Sequence, residues 1–296
     1  IKIMKMETIG EGVRSPEVKE YASRVILSFM RHAEKETDAS KADGDIELTP
    51  KGKQQAVAKH GAENPDQTVA FGDDRTRTRE TALLAALGND ILVGNQTLQE
   101  IEAKANENLK LGSKVGTDTR LGVGTIDRTS DFTKAAIPRI RDVKDYVKFL
   151  AEESDQLAEK FGDKTAPTYS RKAADVAEII EKYLAVSQSW DKLVKEGKYK
   201  EETLWRKLGS QQGVLESFLM KVLENRKGIE ERNKFVGVVG NTFDFTEGFD
   251  TEIITKADGT QEIEITYKKE VPGQEPFEIK EKITKEDLDR IIAERK

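Results

Sequence analysis

The chain has 296 residues, a net charge of −6 and no cysteine. The acidic balance argues against a protein that coats the phosphate backbone of nucleic acids. The lack of cysteine excludes disulfides, thiolate nucleophiles and cysteine-ligated metal sites, and two histidines are too few for a three-histidine zinc site. The start of the chain shows no apolar run long enough for an export signal or a membrane span, so we expect a cytoplasmic protein without a membrane partner.

The first third of the chain alternates strands and helices. Apolar, β-rich runs predict strands over 25–30, 68–71 and 91–93. A helix is expected to begin at the capping pair Thr49-Pro50 and to end near His60, and a second helix is expected over 78–87. Such an alternation predicts a layered α/β fold.

The rest of the chain divides into a helical segment and a return to α/β pattern. Long helices of mixed charge are predicted over 132–199, followed by strands over 204–208 and 235–239 with a helix over 214–223 between them. Asp258-Gly259 predicts a β-hairpin, and a last helix is expected over 285–295. We therefore predict an α/β core from 1–131 and 200–296, with a C-terminal hairpin and helix. The segment 132–199 is predicted to be a helical insertion that can act as a cap.

Two arginines follow predicted core strands, at the edge where open α/β sheets bind their ligands. Arg31 ends the first strand and Arg77 comes shortly after the second, with Arg75 and Arg79 as alternatives to Arg77. If these loops converge, two guanidinium groups can hold a dianionic phosphoryl group while His32 attacks the phosphorus. The neighbouring cations lower the pKa of His32 and keep it nucleophilic near neutral pH. The leaving oxygen needs a proton, and Glu100 is the best-placed carboxyl group in the sequence.

Three ordered segments resemble motifs of the histidine phosphatase (phosphoglycerate mutase-like) superfamily: RHAE at 31–34, LTPKGKQQA at 48–56 and RTRETA at 77–82. The resemblance implies a three-layer α/β/α fold with a mixed sheet, a phosphohistidine intermediate on His32, and phosphate contacts from Arg31 and Arg77. It also implies that Glu100, in Leu98-Gln99-Glu100, matches the family's proton donor. It implies no metal and no cofactor.

The sequence departs from the family at a second pocket histidine. Gln211 stands where that histidine is expected, before Gln212-Gly213 and a helix, and Asn241 is the second choice for the position. Glutamine can donate a neutral hydrogen bond but carries no positive charge. Losing a charge-assisted contact costs about 1.5–3 kcal/mol, which in a transition state is roughly one to two decades of rate. A weakened enzyme, a phosphate-binding relative and a deliberately substituted sequence are all compatible with this change.

Two functions follow from these residues. In the first, the protein hydrolyses phosphomonoesters: His32 attacks phosphorus, Arg31, Arg77 and Gln211 hold the phosphoryl oxygens, and Glu100 protonates the leaving oxygen. A mutase is less favoured, because 33–37 lacks the glycine, serine and asparagine pattern of phosphoglycerate mutases. In the second, the protein is a catalytically silent relative that binds phospholigands or acts as a scaffold. Both predict a small phosphorylated substrate or phosphate as partner, and no nucleic acid.

Overall fold

The computed structural model describes residues 21–88, 94–111, 115–124, 126–143 and 145–296. The strands in these residues form one seven-stranded sheet in the order β3-β2-β4-β1-β5-β6-β7. They are β1 (Tyr21–Arg31), β2 (Thr68–Gly72), β3 (Val115–Thr117), β4 (Thr203–Ser210), β5 (Gly248–Lys256), β6 (Gln261–Lys269) and β7 (Phe277–Ile283). The predicted strand over 91–93 lies outside the described residues.

Ten α-helices occur in the described part of the chain. They are α1 (Pro50–Val57), α2 (Thr76–Leu87), α3 (Leu98–Asn108), α4 (Asp131–Val143), α5 (Tyr146–Phe149), α6 (Asp155–Phe161), α7 (Tyr169–Lys195), α8 (Val214–Lys227), α9 (Ile229–Val239) and α10 (Lys285–Ala293). A π-helical turn, Leu150–Ser154, joins α5 to α6. None of the helices in these residues is both long enough and apolar enough to cross a lipid bilayer.

The sheet is parallel on one side and antiparallel on the other. β1, β2, β3 and β4 pair in parallel, whereas β5 pairs antiparallel with β1, and β6 and β7 continue that pattern. In the register of β1 with β4, Arg31 lies opposite Ser210. The next residues, His32 and Gln211, therefore leave the sheet side by side. This edge, at the carboxyl ends of parallel strands, is where α/β sheets bind their ligands.

Apolar side chains cover both faces of the sheet. Alternate residues of β1, Val25, Leu27 and Phe29, belong to a large cluster with α7 and α8, because successive side chains of a strand point to opposite faces. Ala70 of β2 belongs to a second cluster, which it shares with α1, α2 and α3. The expected α/β fold, a mixed sheet between helical layers, is confirmed.

One predicted element was wrong and three were missed. Residues 235–239, predicted as a strand, form the end of α9. A short apolar run fits either element, and here the spacing of the buried side chains Phe235, Val236 and Val239 suits one face of a helix. The missed elements are α3, β3 and β7, the last of which pairs with β6 and extends the predicted hairpin to three strands.

The helices expected over 132–199 are present, and they pack in two ways. α7 lies against β1 and β5 and contributes side chains such as Ile179 and Ile180 to the large cluster. α4, α5 and α6 surround a smaller cluster that contains Phe132, Phe149 and Leu157. The division of the chain into a core and an insertion stays a prediction.

Candidate active site

A pocket of about 580 Å³ opens at the carboxyl edge of β1, β2 and β4. Four of the five residues predicted for the site line it: Arg31, His32, Arg77 and Gln211. They come from separate strands and loops, and the parallel pairing of β1, β2 and β4 brings them to one place. Glu100 is not among the residues that line the pocket.

His32 presents one ring nitrogen to this pocket in its neutral form. The Nδ1 atom lies 2.8 Å from the carbonyl oxygen of Ala33. A carbonyl can only accept, so Nδ1 carries the proton and Nε2 keeps its lone pair. Burial lowers the pKa of His32 to about 3, and the charges of Arg77, Arg31 and Lys35 act in the same direction. The imidazole is therefore unprotonated at neutral pH.

The second and third motifs hold the chain that follows His32. Glu34 accepts a hydrogen bond from Thr49 N at 3.0 Å, at the start of α1. A Cβ atom at Gly52 would lie 2.0 Å from the carbonyl oxygen of Glu34, so only glycine allows this approach. Thr81 of α2 accepts from Ala33 N at 3.0 Å and donates to the carbonyl of Arg77 at 2.7 Å. The nucleophile and Arg77 are thus positioned by the same side chain.

Arg77 is buried at the start of α2 with its guanidinium in the pocket. Its Nη1 donates to the carbonyl of Asp43 at 2.6 Å, and its Nη2 donates to the Asp43 carboxylate and to Gln211 Oε1, each at 3.1 Å. Its Nε is buried and has no acceptor among the described residues. The two Nη atoms are thus bonded within the protein, whereas Nε has no partner in the described residues.

Arg31 approaches the pocket from the end of β1. It donates to the carbonyl of Phe243 through Nη1 and to Gln212 Oε1 at 3.4 Å through Nη2. Its guanidinium carbon lies 4.8 Å from the centre of the Phe245 ring, within the range of a cation–π contact. Its Nε is buried without an acceptor in the described part of the chain. The same ring lies 6.0 Å from the ring of His32.

Gln211 contributes a neutral donor. Because its Oε1 accepts from Arg77, its amide nitrogen is the free end, and this Nε2 is buried with no acceptor in the described residues. The backbone N–H of Gln211 donates to Leu121 at 3.3 Å, which holds the turn after β4. Buried donors without partners are rare in folded proteins. Arg31, Arg77 and Gln211 each bring one to this pocket.

Sequence reasoning missed a carboxylate in the pocket. Asp43, in the polar loop before α1, accepts from Arg75 Nε at 3.0 Å and from Arg77, and lies 3.5 Å from Lys35 Nζ. Partial burial alone would raise the pKa of Asp43, but the bonds to Arg77 and Arg75 hold it well below its usual range. The only signal in the sequence is an acidic residue beside a glycine, Gly44, which is typical of any surface loop.

The remaining candidates lie elsewhere. Glu100 is the N3 residue of α3, and its carboxylate accepts from Thr97 N at 2.7 Å and from the Thr97 hydroxyl at 3.1 Å, forming a capping box. Asn241 follows α9 and accepts from Tyr146 N at 2.8 Å. Arg79 forms an ion pair with Glu102. Of the two positions considered for the second histidine, Gln211 is the one that lies in the pocket.

One further carboxylate and one further cation line the pocket. Asp74 lies near Arg75, with its Oδ1 3.4 Å from Arg75 Nη1. Arg128 also lines the pocket. Within the described ranges, no three His, Asp or Glu side chains are grouped in a way that could hold a metal ion.

Residues 27–115 match the profile of the histidine phosphatase superfamily (branch 1). The match covers less than a third of the chain. It contains all three motifs that suggested the resemblance, and the resemblance is confirmed. No curated protein matches the chain.

The chain also matches solved structures at low identity. A mutant phosphoserine phosphatase from Entamoeba histolytica, solved with phosphoserine, is 16% identical with a TM-score of 0.37, over 80% of this chain and 94% of its own. The mycobacterial glucosyl-3-phosphoglycerate phosphatase is 16% identical with a TM-score of 0.36, over 78% and 89%. A Klebsiella phytase is 10% identical with a TM-score of 0.34, over 94% and 96%. The family assignment rests on the profile match.

Proposed function

We propose that this histidine phosphatase relative hydrolyses phosphomonoesters through a phosphohistidine on His32. The observation that carries the proposal is the pocket itself, which is lined by a neutral imidazole and by three side chains that each have a buried donor atom with no acceptor in the described residues. A phosphoryl group supplies three acceptor oxygens and a negative charge, which is the complement of this set.

The reaction needs two displacements. His32 Nε2 donates its lone pair to phosphorus as the bond to the leaving oxygen breaks, and that oxygen takes up a proton. Water then attacks the phosphorus of phosphohistidine, the P–N bond breaks, and inorganic phosphate leaves. Arg31 and Arg77 stabilise the phosphoryl oxygens in both steps through charge-assisted hydrogen bonds. Gln211 donates a neutral hydrogen bond, so its contribution is smaller than that of a charged group.

The proton for the leaving oxygen is assigned here to Asp74. Glu100 is bound in the capping box of α3, and Asp43 is kept ionised by two arginines, so neither has a proton to give at the pocket in this arrangement. Asp74 lines the pocket, and 64% of its side chain is exposed to solvent, from which it can be reprotonated. The sequence-based assignment of Glu100 stays a prediction that the same experiment tests.

The choice of donor is tested with two substrates. We expect Asp74→Asn to lower kcat/KM for ethyl phosphate on the order of 100-fold. Nitrophenyl phosphate, whose leaving group needs no proton, should lose little. Glu100→Gln should change neither rate. A selective loss for ethyl phosphate in Glu100→Gln, with Asp74→Asn unaffected, would return the role to Glu100.

The nucleophile is tested by trapping the intermediate. The chain is mixed with an aryl phosphate carrying labelled phosphorus and quenched in alkali, in which phosphohistidine survives. Wild type and His60→Ala should retain the label, and His32→Ala should retain none. His60 is the matched control, because it is the other histidine and lies outside the pocket, 3.1 Å from the carbonyl of Ala85. Equal labelling of His32→Ala would remove the proposed nucleophile.

A second candidate, phosphate binding without turnover, is favoured by one observation: Gln211 lies where a charge is expected. It predicts that inorganic phosphate raises the melting temperature of the protein although no ester is hydrolysed. Detection of phosphohistidine would exclude this candidate.

A further inference from the structure

A second cavity adjoins the pocket that is lined by Arg31, His32 and Arg77, which we call the anion pocket. It has a volume of about 300 Å³ and is enclosed mainly by α4, α5 and the turn that follows. Ile126, Arg128 and Tyr146 line both cavities, so the two share a wall and a mouth. A molecule whose phosphoryl group is held beside His32 can therefore extend its other end into this space.

The lining of the second cavity is apolar. Its inner wall consists of Phe132, Ala136, Ile140, Phe149, Leu150 and Pro167. Among the helix residues here, Thr133 and Tyr146 carry hydroxyl groups, and the hydroxyl of Thr133 lies 3.0 Å from that of Ser130 and is already bonded. Few polar groups are left to bind hydroxyl or carboxylate substituents, so a polar molecule would lose hydration without replacement.

Apolar side chains are also concentrated at the mouth. Of the five large apolar side chains that are exposed in the described residues, Ile126, Ile137 and Phe245 line one or both cavities. Ile126 is 50% exposed and Ile137 is 45% exposed. Exposed apolar groups gathered at one place mark a binding site more often than scattered ones do.

Tyr146 lines both cavities and also contacts the turn after β4 that contains Gln211 and Gly213. A Cβ atom at Gly213 would lie 2.5 Å from the Tyr146 ring, and Gly213 has φ +81°, so glycine is required here on both counts. The ring therefore lies directly against the turn that carries Gln211. Charge at the shared wall comes from Arg128, which lines both cavities.

We propose that the second cavity binds the leaving group, and that the substrates are phosphomonoesters of apolar alcohols, aliphatic or aromatic. This inference rests on the proposed function, because it takes the phosphoryl group to be bound beside His32. It excludes substrates with hydroxyl-rich or anionic leaving groups from efficient turnover.

The test compares ethyl, butyl and hexyl phosphate, which share the reacting bond and differ only in apolar length. We expect kcat/KM to rise by up to about fourfold for each added methylene group, the full value for a buried CH₂. Glycerol phosphate should be hydrolysed more slowly than propyl phosphate, which has the same number of carbons. The matching alkyl phosphonates, which cannot be hydrolysed, provide the same series as a binding measurement.

Two variants locate the effect. Ile137→Asn places a polar group in the lining of the cavity and should flatten the dependence of kcat/KM on chain length. Ile229→Asn makes the same change at a residue that is 57% exposed and lines neither cavity, and it should keep the wild-type dependence. Unchanged melting temperatures confirm that both variants are folded.

The outcomes separate the two proposals. Hydrolysis that does not depend on chain length, with equal phosphonate affinities, would overturn the leaving-group site and leave the phosphatase intact. Graded phosphonate binding that Ile137→Asn weakens, without hydrolysis of any ester, would support the apolar site and overturn the catalytic function. An equal response of Ile137→Asn and Ile229→Asn would overturn the location of the site.

Discussion

The anion pocket and a larger groove on another side of the molecule are both rich in charge, and they differ in how that charge is used. The groove, about 1110 Å³, lies between α7, α10 and the strands β6 and β7. Two of its lysines are paired: Lys285 lies 2.9 Å from Glu181 and 2.7 Å from Asp289, and Lys282 lies 3.1 Å from Glu262. The anion pocket is about half that size and keeps buried donors without acceptors.

This difference shows that neither volume nor charge alone identifies a site. Exposed ion pairs satisfy each other and contribute little to stability or binding. A buried donor without a partner has lost its hydration and gains most from a ligand that supplies an acceptor. The anion pocket is therefore the site that the physical chemistry favours, although the groove is the larger cavity.

The strongest test of the comparison removes one cation from each region. Arg77→Ala takes a buried guanidinium out of the anion pocket, and we expect kcat/KM for an aryl phosphate to fall on the order of 10²- to 10³-fold. Lys285→Ala removes a paired cation from the groove and should change kcat/KM less than about twofold. Similar losses in the two variants would show that the location of a cation in the anion pocket does not decide its role.

The next test adds charge to the pocket. Gln211→His places an imidazole beside Arg77, and when protonated on binding a phosphoryl dianion it should raise turnover by roughly one to two decades. Asn241→His is the matched control, because Asn241 accepts a hydrogen bond from Tyr146 N at the start of α5 and lies outside the pocket. A gain confined to Asn241→His would show that the second histidine position is assigned to the wrong residue.

A third test compares two buried carboxylates, Glu80 and Glu63, which differ in how closely a lysine pairs with them. Glu80 is fully buried, with only a distant cation, Lys53 Nζ at 3.7 Å. Burial raises the pKa of Glu80 from 4.5 to about 7, which outweighs the hydrogen bond from Leu48 N. The folded state therefore binds the proton more tightly than the unfolded state, and this stabilisation is lost as the pH rises through about 7.

We expect Glu80→Gln to gain about 2 kcal/mol in the free energy of unfolding, relative to wild type, between pH 4.5 and pH 8. Urea denaturation at the two pH values measures this difference. Glu63→Gln should show the opposite sign, because the ion pair and hydrogen bond with Lys207 outweigh burial and lower the pKa of Glu63. A shift of the same sign in both variants would contradict the proposed role of pairing.

The smallest effect is expected at Asp43, whose carboxylate accepts hydrogen bonds from Arg75, the N-cap residue of α2, and from Arg77 in α2. Asp43→Asn removes a negative charge that competes with the ligand, and we expect inorganic phosphate to bind up to about fivefold more tightly. Calorimetric titration measures this affinity. Asp66→Asn breaks an exposed pair with Lys110, at 2.9 Å, and should leave phosphate binding unchanged. Weaker binding to Asp43→Asn would show that Asp43 supports the ligand instead of competing with it.

Much of the fold followed from local pattern. The strand β1, the cap at Thr49 and the helix α2 were predicted close to their observed bounds, because alternating burial and capping are properties of a few neighbouring residues. The wrong strand prediction at 235–239 also came from local pattern. A run of apolar residues that is shorter than two helical turns does not distinguish helix from strand, and its neighbours decided the outcome.

Of the residues that the sequence predicted for the candidate site, four line the pocket and one does not. Arg31, His32, Arg77 and Gln211 could be named because each lies next to the end of an element that the sequence predicts. Glu100 was chosen for its place along the chain, but its carboxylate bonds to Thr97 within the same turn of α3. Local hydrogen bonds of this kind compete with any longer-range role of a side chain.

The amino-acid sequence by itself determined the chemistry available to this protein: one histidine after a strand, arginines beside it, no thiol, and a glutamine in place of a second imidazole. Only the tertiary structure decided which donors stay without a partner, where Asp43 comes to lie, and that an apolar cavity opens beside the anion pocket. The reason is physical. Residue identity sets which hydrogen bonds a group can make, whereas the packing of distant segments sets which of them are already made.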